Sequence, residues 1–337
     1  MSLPRSLFLH TSLLVVGAAA ATWAYTREKT PEVTKESEAT VISGRPADVQ
    51  RVVYEAKNKK VVVEPAKGAA GDAYYAVTVE HSAPSLIAGA DAGAARLPAT
   101  TSAFFVSNDP GKKLFDALVP LRASRSIGKV ASPKDKDYGL DRKETSFTVT
   151  VSGLERKLFV GDTAPGGTDS YVVDANSSQA YVVRGDFVKD LESADTKLAE
   201  RELHAWKEAD ARSAKIMAGG KTRELVRGGP DNHRFWADPG DRDKQDETVA
   251  NWLQKVDRLR PGDFFRTAPA GTTTVARIEF AGEKGNQLGF FELVKAPDPA
   301  QAGKSLYFAI TERTHVHAKV SPQLAEQVEQ DLASVVK

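Results

Sequence analysis

One arrangement is written twice in this chain, and it constrains the fold more than any other feature. From Thr145 to Leu191 the sequence reads FTVTV, a turn, RKLFVGD, a Pro/Gly turn, DSYVVD, a short turn and QAYVVRG, with a helix opening at Asp186. From Val275 to Leu332 the same order returns as ARIEF, NQLGFFELV, SLYFAI and HVHAKV, with a helix opening at Ser321. Short β-rich runs bounded by turn residues predict strands, and the 3.6-residue spacing that follows predicts an amphipathic helix. A four-strand meander capped by a helix is therefore expected twice, about 130 residues apart.

The segments before each meander extend the match. VQRVVYEA and KKVVVEPA flank a turn at Lys57-Asn58, and AYYAVTVE follows; Asn108 or Asp109 then caps a helix with Pro110 in its first turn. Leu114, Phe115, Leu118 and Leu121 are placed on one face of it. In the second half SAKIMA and TRELVRG flank Gly219-Gly220, a strong hairpin signal, and Arg234-Phe235-Trp236 reads as a third strand. The acidic run from Asp238 to Glu247 leads into a helix with Val249, Trp252, Leu253, Val256 and Leu259 on one stripe. Both halves thus read strand, strand, strand, helix, meander, helix. The expected class is α+β, with two tandem, similar lobes, each a mainly antiparallel sheet with helices, after an N-terminal transmembrane helix. The expected boundaries are 1–30 for the membrane segment, 31–47 for a flexible tether, 48–207 for the first lobe and 208–337 for the second. The Ala/Gly/Pro-rich stretch from Ser82 to Thr100 reads as an inserted surface loop. Ser193 to Asp210 reads as a charged helical segment joining the lobes, with Leu198, Leu203 and Trp206 as its apolar positions.

At the N-terminus, Arg5 precedes a mainly apolar run from Leu7 to Tyr25. As a helix this run reaches roughly 28 Å, close to the thickness of a bilayer core. Two readings compete: an uncleaved anchor with Trp23 and Tyr25 at the outer interface, or a secretory signal cut within Ala18–Ala21. The apolar run continues past the small residues, which favours the anchor. The polar stretch from Thr26 to Ala47, with Pro31 and Pro46, then reads as a tether spanning about 25 Å. This predicts a single-pass protein of the cell inner membrane with the bulk of the chain in the periplasm.

Composition removes several function classes. With 46 basic and 45 acidic residues the chain has no bulk field to attract nucleic acid, and no nucleic-acid partner is expected. There is no cysteine, which excludes disulfides, thiolate metal sites and a Cys nucleophile.

Each local candidate for chemistry has a plainer structural reading. His315 and His317 in HVHAKV would share one strand face and could chelate a metal, but no third ligand is evident. The Asp238, Asp241, Asp243, Asp246, Glu247 run lacks calcium-loop spacing and suits a helix start. Gly303-Lys304-Ser305 resembles the end of a phosphate-binding loop, but a strand follows it where a helix is required. The turn from Gly161 to Gly167 lies likewise between strands. No G-x-S-x-G occurs, although a triad assembled in three dimensions around His81, His204, His233, His315 or His317 would leave no local motif. Lys57 to Lys60 reads as a charged hairpin turn. Tyr74, Tyr75, Phe104 and Phe105 read mainly as core, with interface anchoring as the alternative. No catalytic residue, metal ligand or cofactor is assigned.

Taken together, a hairpin, a W-x-x-P segment, an acidic lead-in to an L-x-x-V-x-x-L helix and a meander of the form hGD…YV…vYvv resemble a known family. It is the bacterial family numbered 4340 among domains of unknown function. The matching residues are Trp236, Pro239, Asp246, Leu253, Val256 and Leu259 in the second half. In the first half they are Val160-Gly161-Asp162, Tyr171-Val172-Val173 and Tyr181-Val182-Val183. The resemblance extends over roughly Asp48 to Lys337; the long Ala/Gly insertion and the divergent first half depart from it. It implies one N-terminal membrane segment and an association with ABC-type transport components, including those of gliding motility and envelope export. It carries no functional residue with it. Two functions are therefore expected in competition: a non-catalytic envelope scaffold that binds other proteins, or a periplasmic hydrolase or ligand-binding protein using an inter-lobe cleft.

Overall fold

A computed structural model describes residues 39–68, 71–82, 100–131, 136–141, 144–230 and 233–336. The membrane-segment reading of Leu7–Tyr25, most of the tether and nearly all of the Ala/Gly-rich insertion lie outside the described residues. Among the described residues no helix is long and apolar enough to cross a membrane.

The first half begins with β1 (Ala39–Ile42), then β2 (Val49–Ala56), β3 (Lys59–Lys67), β4 (Ala73–Ser82) and β5 (Thr100–Ser107). Helix α1 (Asp109–Leu118) leads to β6 (Leu121–Lys129). The meander β7 (Ser146–Val151), β8 (Leu154–Thr163), β9 (Ser170–Asp174) and β10 (Gln179–Val183) follows, with α2 (Asp186–Glu192) and α3 (Ala194–Lys197) after it. These ten strands form one sheet in the order β1-β6-β10-β9-β8-β7-β2-β3-β4-β5.

The second half comprises β11 (Ser213–Ala218), β12 (Lys221–Gly228), β13 (Phe235–Ala237), α4 (Glu247–Asp257) and β14 (Phe264–Phe265). Its meander is β15 (Thr273–Ala281), β16 (Gln287–Pro297), β17 (Ser305–Thr311) and β18 (His317–Lys319), closed by α5 (Pro322–Val335). The eight strands run β13-β12-β11-β15-β16-β17-β18-β14. Neighbouring strands within both sheets are antiparallel, for example Val52 opposite Val149 and Ile216 opposite Ile278. The chain is thus α+β, with two mostly antiparallel sheets and few helices.

Helices bury their stripes on one face of each sheet because alternate strand residues supply an apolar surface there. In the first half Leu114, Phe115 and Leu118 pack with Phe187 and Leu191 against Val52, Val61, Val77, Phe147 and Val149. The rings of Phe147 and Phe187 meet edge to face at 5.1 Å. In the second half Asp246 caps α4 by accepting from Val249 N at 3.0 Å. Val249, Trp252, Leu253 and Val256 then face Ile216, Leu225, Ile278, Phe291 and the α5 residues Ala325 and Val328. Trp252 is buried, and its Nε1 donates to Val328 O at 2.8 Å, pinning α4 to α5.

Three expectations need correction. The tether does not run to residue 47: Ala39–Ile42 joins the sheet edge beside β6, with Val41 and Ile42 buried. The run ATVI is too short to register as a strand by pattern, and pairing with β6 supplies what propensity does not. The segment from Ser193 to Asp210 is not one helix. Only Ala194–Lys197 is α-helical and Glu208–Asp210 is a 3-10 turn. Leu198 and Leu203 are drawn into different cores, which an unbroken helix would not allow. His315 is not on a strand: it sits in the β17–β18 turn at φ +57°, so it does not share a face with His317. Strands β5, β6 and β14 were not legible as strands.

Candidate functional site

Two side-chain assemblies stand out. The first joins the sheets. Edge strand β14 lies beside β5, and Phe264 and Ala318 are buried in the first sheet's core. Arg266 stacks on the Phe104 ring at 4.0 Å and donates to Thr78 Oγ1 at 3.4 Å. Next to this seam the β17–β18 turn is held rigidly, because buried Thr314 Oγ1 accepts from Thr311 N and Thr311 Oγ1 accepts from Thr314 N. That turn presents Arg313 and His315 to the first half.

Asn108 stands at the N-terminus of α1, where a side chain usually caps the helix. Here its amide is diverted. Nδ2 donates to Glu200 Oε2 at 2.7 Å and to Arg313 O at 2.9 Å. Two acceptors at one end fix the amide's orientation, so Oδ1 faces His315 Nε2 at 3.2 Å. His315 Nδ1 lies 2.8 Å from Asp72 Oδ2, and the ring stacks on Tyr74 at 4.7 Å. Burial holds the His315 pKa below its ordinary value, against the pull of Asp72. When the ring is neutral its single proton belongs on the shorter contact, to Asp72. Arg313 donates to Asp109 Oδ2 at 2.8 Å, and its Nε sits 2.8 Å from Glu200 Oε2 without aiming its N–H at that oxygen. Glu200 Oε1 accepts from the backbone of Arg201 and Glu202.

The second assembly is a cavity of about 220 Å³ beside the chain that links the halves. Its floor is apolar: Leu203, Trp236, Leu253, Val256 and Phe280. His204 and Trp206 form a wall, and both are held by one carboxylate. Glu312 Oε1 accepts from Trp206 Nε1 at 3.0 Å and lies 3.0 Å from His204 Nδ1, while Oε2 accepts from Phe290 N at 3.0 Å. Among the described residues His204 Nε2 has no partner. Arg227 stacks on Trp236 at 4.0 Å and pairs with Glu208 at 2.6 Å, closing one side. Gln254, Asp257, Arg258 and Glu202 stand exposed around the mouth.

The sequence candidates sort against these two places. His315 belongs to the seam, and His204, grouped in the sequence only with the other histidines, belongs to the cavity. His81 lies 3.3 Å from half-buried Asp195, and His317 packs on Phe308, where burial lowers its pKa. No group of three metal-ligating side chains occurs among the described residues. The acidic run supplies the α4 cap and pairs Asp238 and Asp246 with Arg223. Ser305 opens β17, so no helix follows Gly303-Lys304. Tyr74, Tyr75, Phe104 and Phe105 are packing residues, Tyr75 against Phe115 at 4.6 Å. Glu312 and the seam role of Asn108 carried no sequence signal, since the side chains they hold lie 90 residues or more away along the chain.

Fold and sites together define a two-sheet α+β body with a polar seam and a side-chain-sized aromatic cavity. Residues 106–276, about half of the chain, match the family described as Domain of unknown function (DUF4340), and the chain belongs to that family. The matched span is narrower than the resemblance. It includes Asn108, Glu200 and all of the cavity except Phe280 and the supporting Glu312, but not Arg313 or His315. No curated protein and no solved structure matches the chain.

Proposed function

We propose that this is a membrane-anchored envelope protein whose body is a non-catalytic scaffold for other proteins. Leu7–Tyr25 holds it in the cell inner membrane and the bulk of the chain lies in the periplasm. The body consists of two tandem, similar lobes. What supports the lobes is strand order: β4-β3-β2-β7-β8-β9-β10-β6 in one sheet corresponds element by element to β13-β12-β11-β15-β16-β17-β18-β14 in the other. In each, a helix lies between the third of these strands and the next one in sequence, with β5 also intervening in the first half, and another helix follows the meander. The first sheet adds β5 and β1 at its ends.

The observation that carries the scaffold reading is the closed seam. A catalytic acid or base needs a face turned toward substrate. In the seam the imidazole of His315, the carboxylate of Glu200, the guanidinium of Arg313 and the amide of Asn108 are turned toward one another across the two sheets. Such a network yields a fixed relation between two surfaces, which is what a scaffold requires. Components of ABC-type transport or gliding-motility systems are the partner class that family resemblance suggests. The test is capture by the tagged full-length protein from detergent-solubilised membranes, combined with carbonate washing. Stoichiometric capture of an envelope protein and retention in the washed membrane are expected. Capture of nothing refutes the scaffold, and recovery as a soluble protein beginning near Ala21 refutes the anchor.

One observation favours a second reading, a periplasmic hydrolase or ligand-binding protein. His204 lines a cavity with Nδ1 held by Glu312, the orientation of a general base. None of the lining residues is Ser, Thr, Cys or Lys, so such a base would have to activate water. A turnover that disappears in His204→Ala, with the fold intact, establishes this reading and ends the scaffold one.

A further inference from the structure

We infer that the 220 Å³ cavity is an anchor pocket for one aromatic or leucine-sized side chain of an extended peptide segment on a partner protein. This rests on the scaffold reading and specifies how the partner is held. The size argument comes first. The cavity lies below the roughly 300–1,000 Å³ range of sites that enclose drug-sized ligands. It exceeds the roughly 150 Å³ void that admits a benzene ring. One large side chain fills it.

The chemistry of the walls agrees. The floor of Leu203, Trp236, Leu253 and Phe280 is apolar, which suits a hydrocarbon side chain. The wall is set in place before anything binds, because Glu312 holds both Trp206 and His204. Preorganised aromatic surface loses little entropy on association, which is why such pockets act as hot spots. The groups at the mouth that have no partner among the described residues are those that recognise a peptide chain. His204 Nε2 and the Gln254 amide offer hydrogen bonds for backbone N–H and C=O groups. Exposed Asp257 and Glu202 stand beside exposed Arg258, so the rim carries both signs and complements a segment with mixed flanking charges. The segment does not bind by adding a strand to β13, whose outer edge is occupied where Asp246 N donates to Trp236 O at 2.9 Å. Insertion of a side chain is the mode left at this place.

The experiment uses the full-length chain in detergent. Its probes are two capped pentapeptides, one with Phe and one with Ala at the centre of an otherwise identical sequence, and free phenylalanine. Tryptophan emission reports binding, since Trp206 and Trp236 line the cavity. Gln254→Trp places a bulky ring at the mouth from an exposed helix position, and Asn251→Trp is the control on the same helix outside the cavity. The Phe peptide is expected to bind saturably and about tenfold or more tightly than the Ala peptide. That binding is expected to vanish in Gln254→Trp and persist in Asn251→Trp. Equal binding of the two peptides, tighter binding of free phenylalanine, or indifference to Gln254→Trp overturns the inference. Membrane capture separates the two layers of the argument. If wild type and Gln254→Trp capture the same partner equally, the anchor pocket falls while the scaffold stands; if wild type captures none, the scaffold itself falls.

Discussion

Replacing Asn108 probes the seam at its centre. Asn108→Ala removes the donor to the Glu200 carboxylate at 2.7 Å and the donor to Arg313 O at 2.9 Å. A hydrogen bond to a charged group contributes about 1.5–3 kcal/mol and a neutral one about 1 kcal/mol. While the His315 ring is neutral with its proton toward Asp72, its Nε2 lone pair faces Oδ1, so losing that contact adds nothing to the cost. Asn108 is half-buried, so water replaces part of what is lost, and the expected destabilisation is about 2 kcal/mol. At an unfolding entropy of about 2.1 cal/mol/K per residue, that lowers the Tm of a body of this size by roughly 3 °C. Asn108→Asp is the sharper test. It turns a carboxylate oxygen toward Glu200 and the Arg313 carbonyl, exchanging attraction for repulsion, and is expected to cost more than alanine at pH 7. Denaturant unfolding of the full chain in detergent, followed by far-UV circular dichroism, measures both variants. An aspartate variant as stable as the alanine one would show that the amide does not face two acceptors, and the assigned network would be wrong.

Other expected outcomes follow from packing and titration. In Asp174, burial raises the carboxyl pKa, but donors from Ser177 and Asn176 and the Arg156 charge outweigh it and hold the pKa below its ordinary 3.8. The associated stability is present above pH 3.8 and is lost as pH falls through the lower folded value, so Asp174→Asn should flatten the denaturant midpoint across that window. Gly111→Ala should destabilise α1 although alanine favours helix by about 1 kcal/mol, because its Cβ would fall 2.6–2.9 Å from Tyr75 atoms; a rise in Tm would refute the close approach. Trp252→Phe loses the bond to Val328 O and leaves a void between α4 and α5, and should cost about 2–3 kcal/mol by denaturant unfolding.

The parts of this fold that were legible in the sequence are those whose physics is local. The hairpin at Gly219-Gly220, with both glycines at positive φ, needs no distant partner to be recognised. The same is true of the Val249–Val256 stripe and of the meander turns. Strands β1 and β14 escaped because they are only four and two residues long, and β5 and β6 because polar residues break up their apolar pattern; pairing is the reason all four are strands. In β6, Arg122, Arg125 and Lys129 interrupt the pattern, yet β10 on one side and β1 on the other complete it. The linking segment misled in the opposite direction. Its charges and spaced leucines suit a helix, but Leu198 and Leu203 serve two separate cores, and non-helical chain is what spans the gap between them.

The sites were illegible for a related reason, and that reason bears on what they do. Asp72, Asn108, Glu200 and Arg313 are ordinary surface residue types, and only the arrival of the β17–β18 turn makes a network of them. His204 likewise becomes distinctive only because Glu312, on the far side of the second half in sequence, takes one ring nitrogen and orders Trp206 beside it. In both places a residue from the 311–315 turn region completes groups supplied by the first half or by the linking chain. The seam and the cavity wall are therefore ordered by one short segment, through Arg313 and His315 on one side and Glu312 on the other. Glu312 does not line the cavity but stands behind its wall, next in sequence to Arg313, so an occupant reaches the seam only through His204 and Trp206. A ligand that displaced Glu312 would loosen both, whereas one that only meets His204 Nε2 leaves the seam intact. Binding at the cavity without loss of thermal stability is accordingly the behaviour that a preorganised pocket beside a closed seam requires.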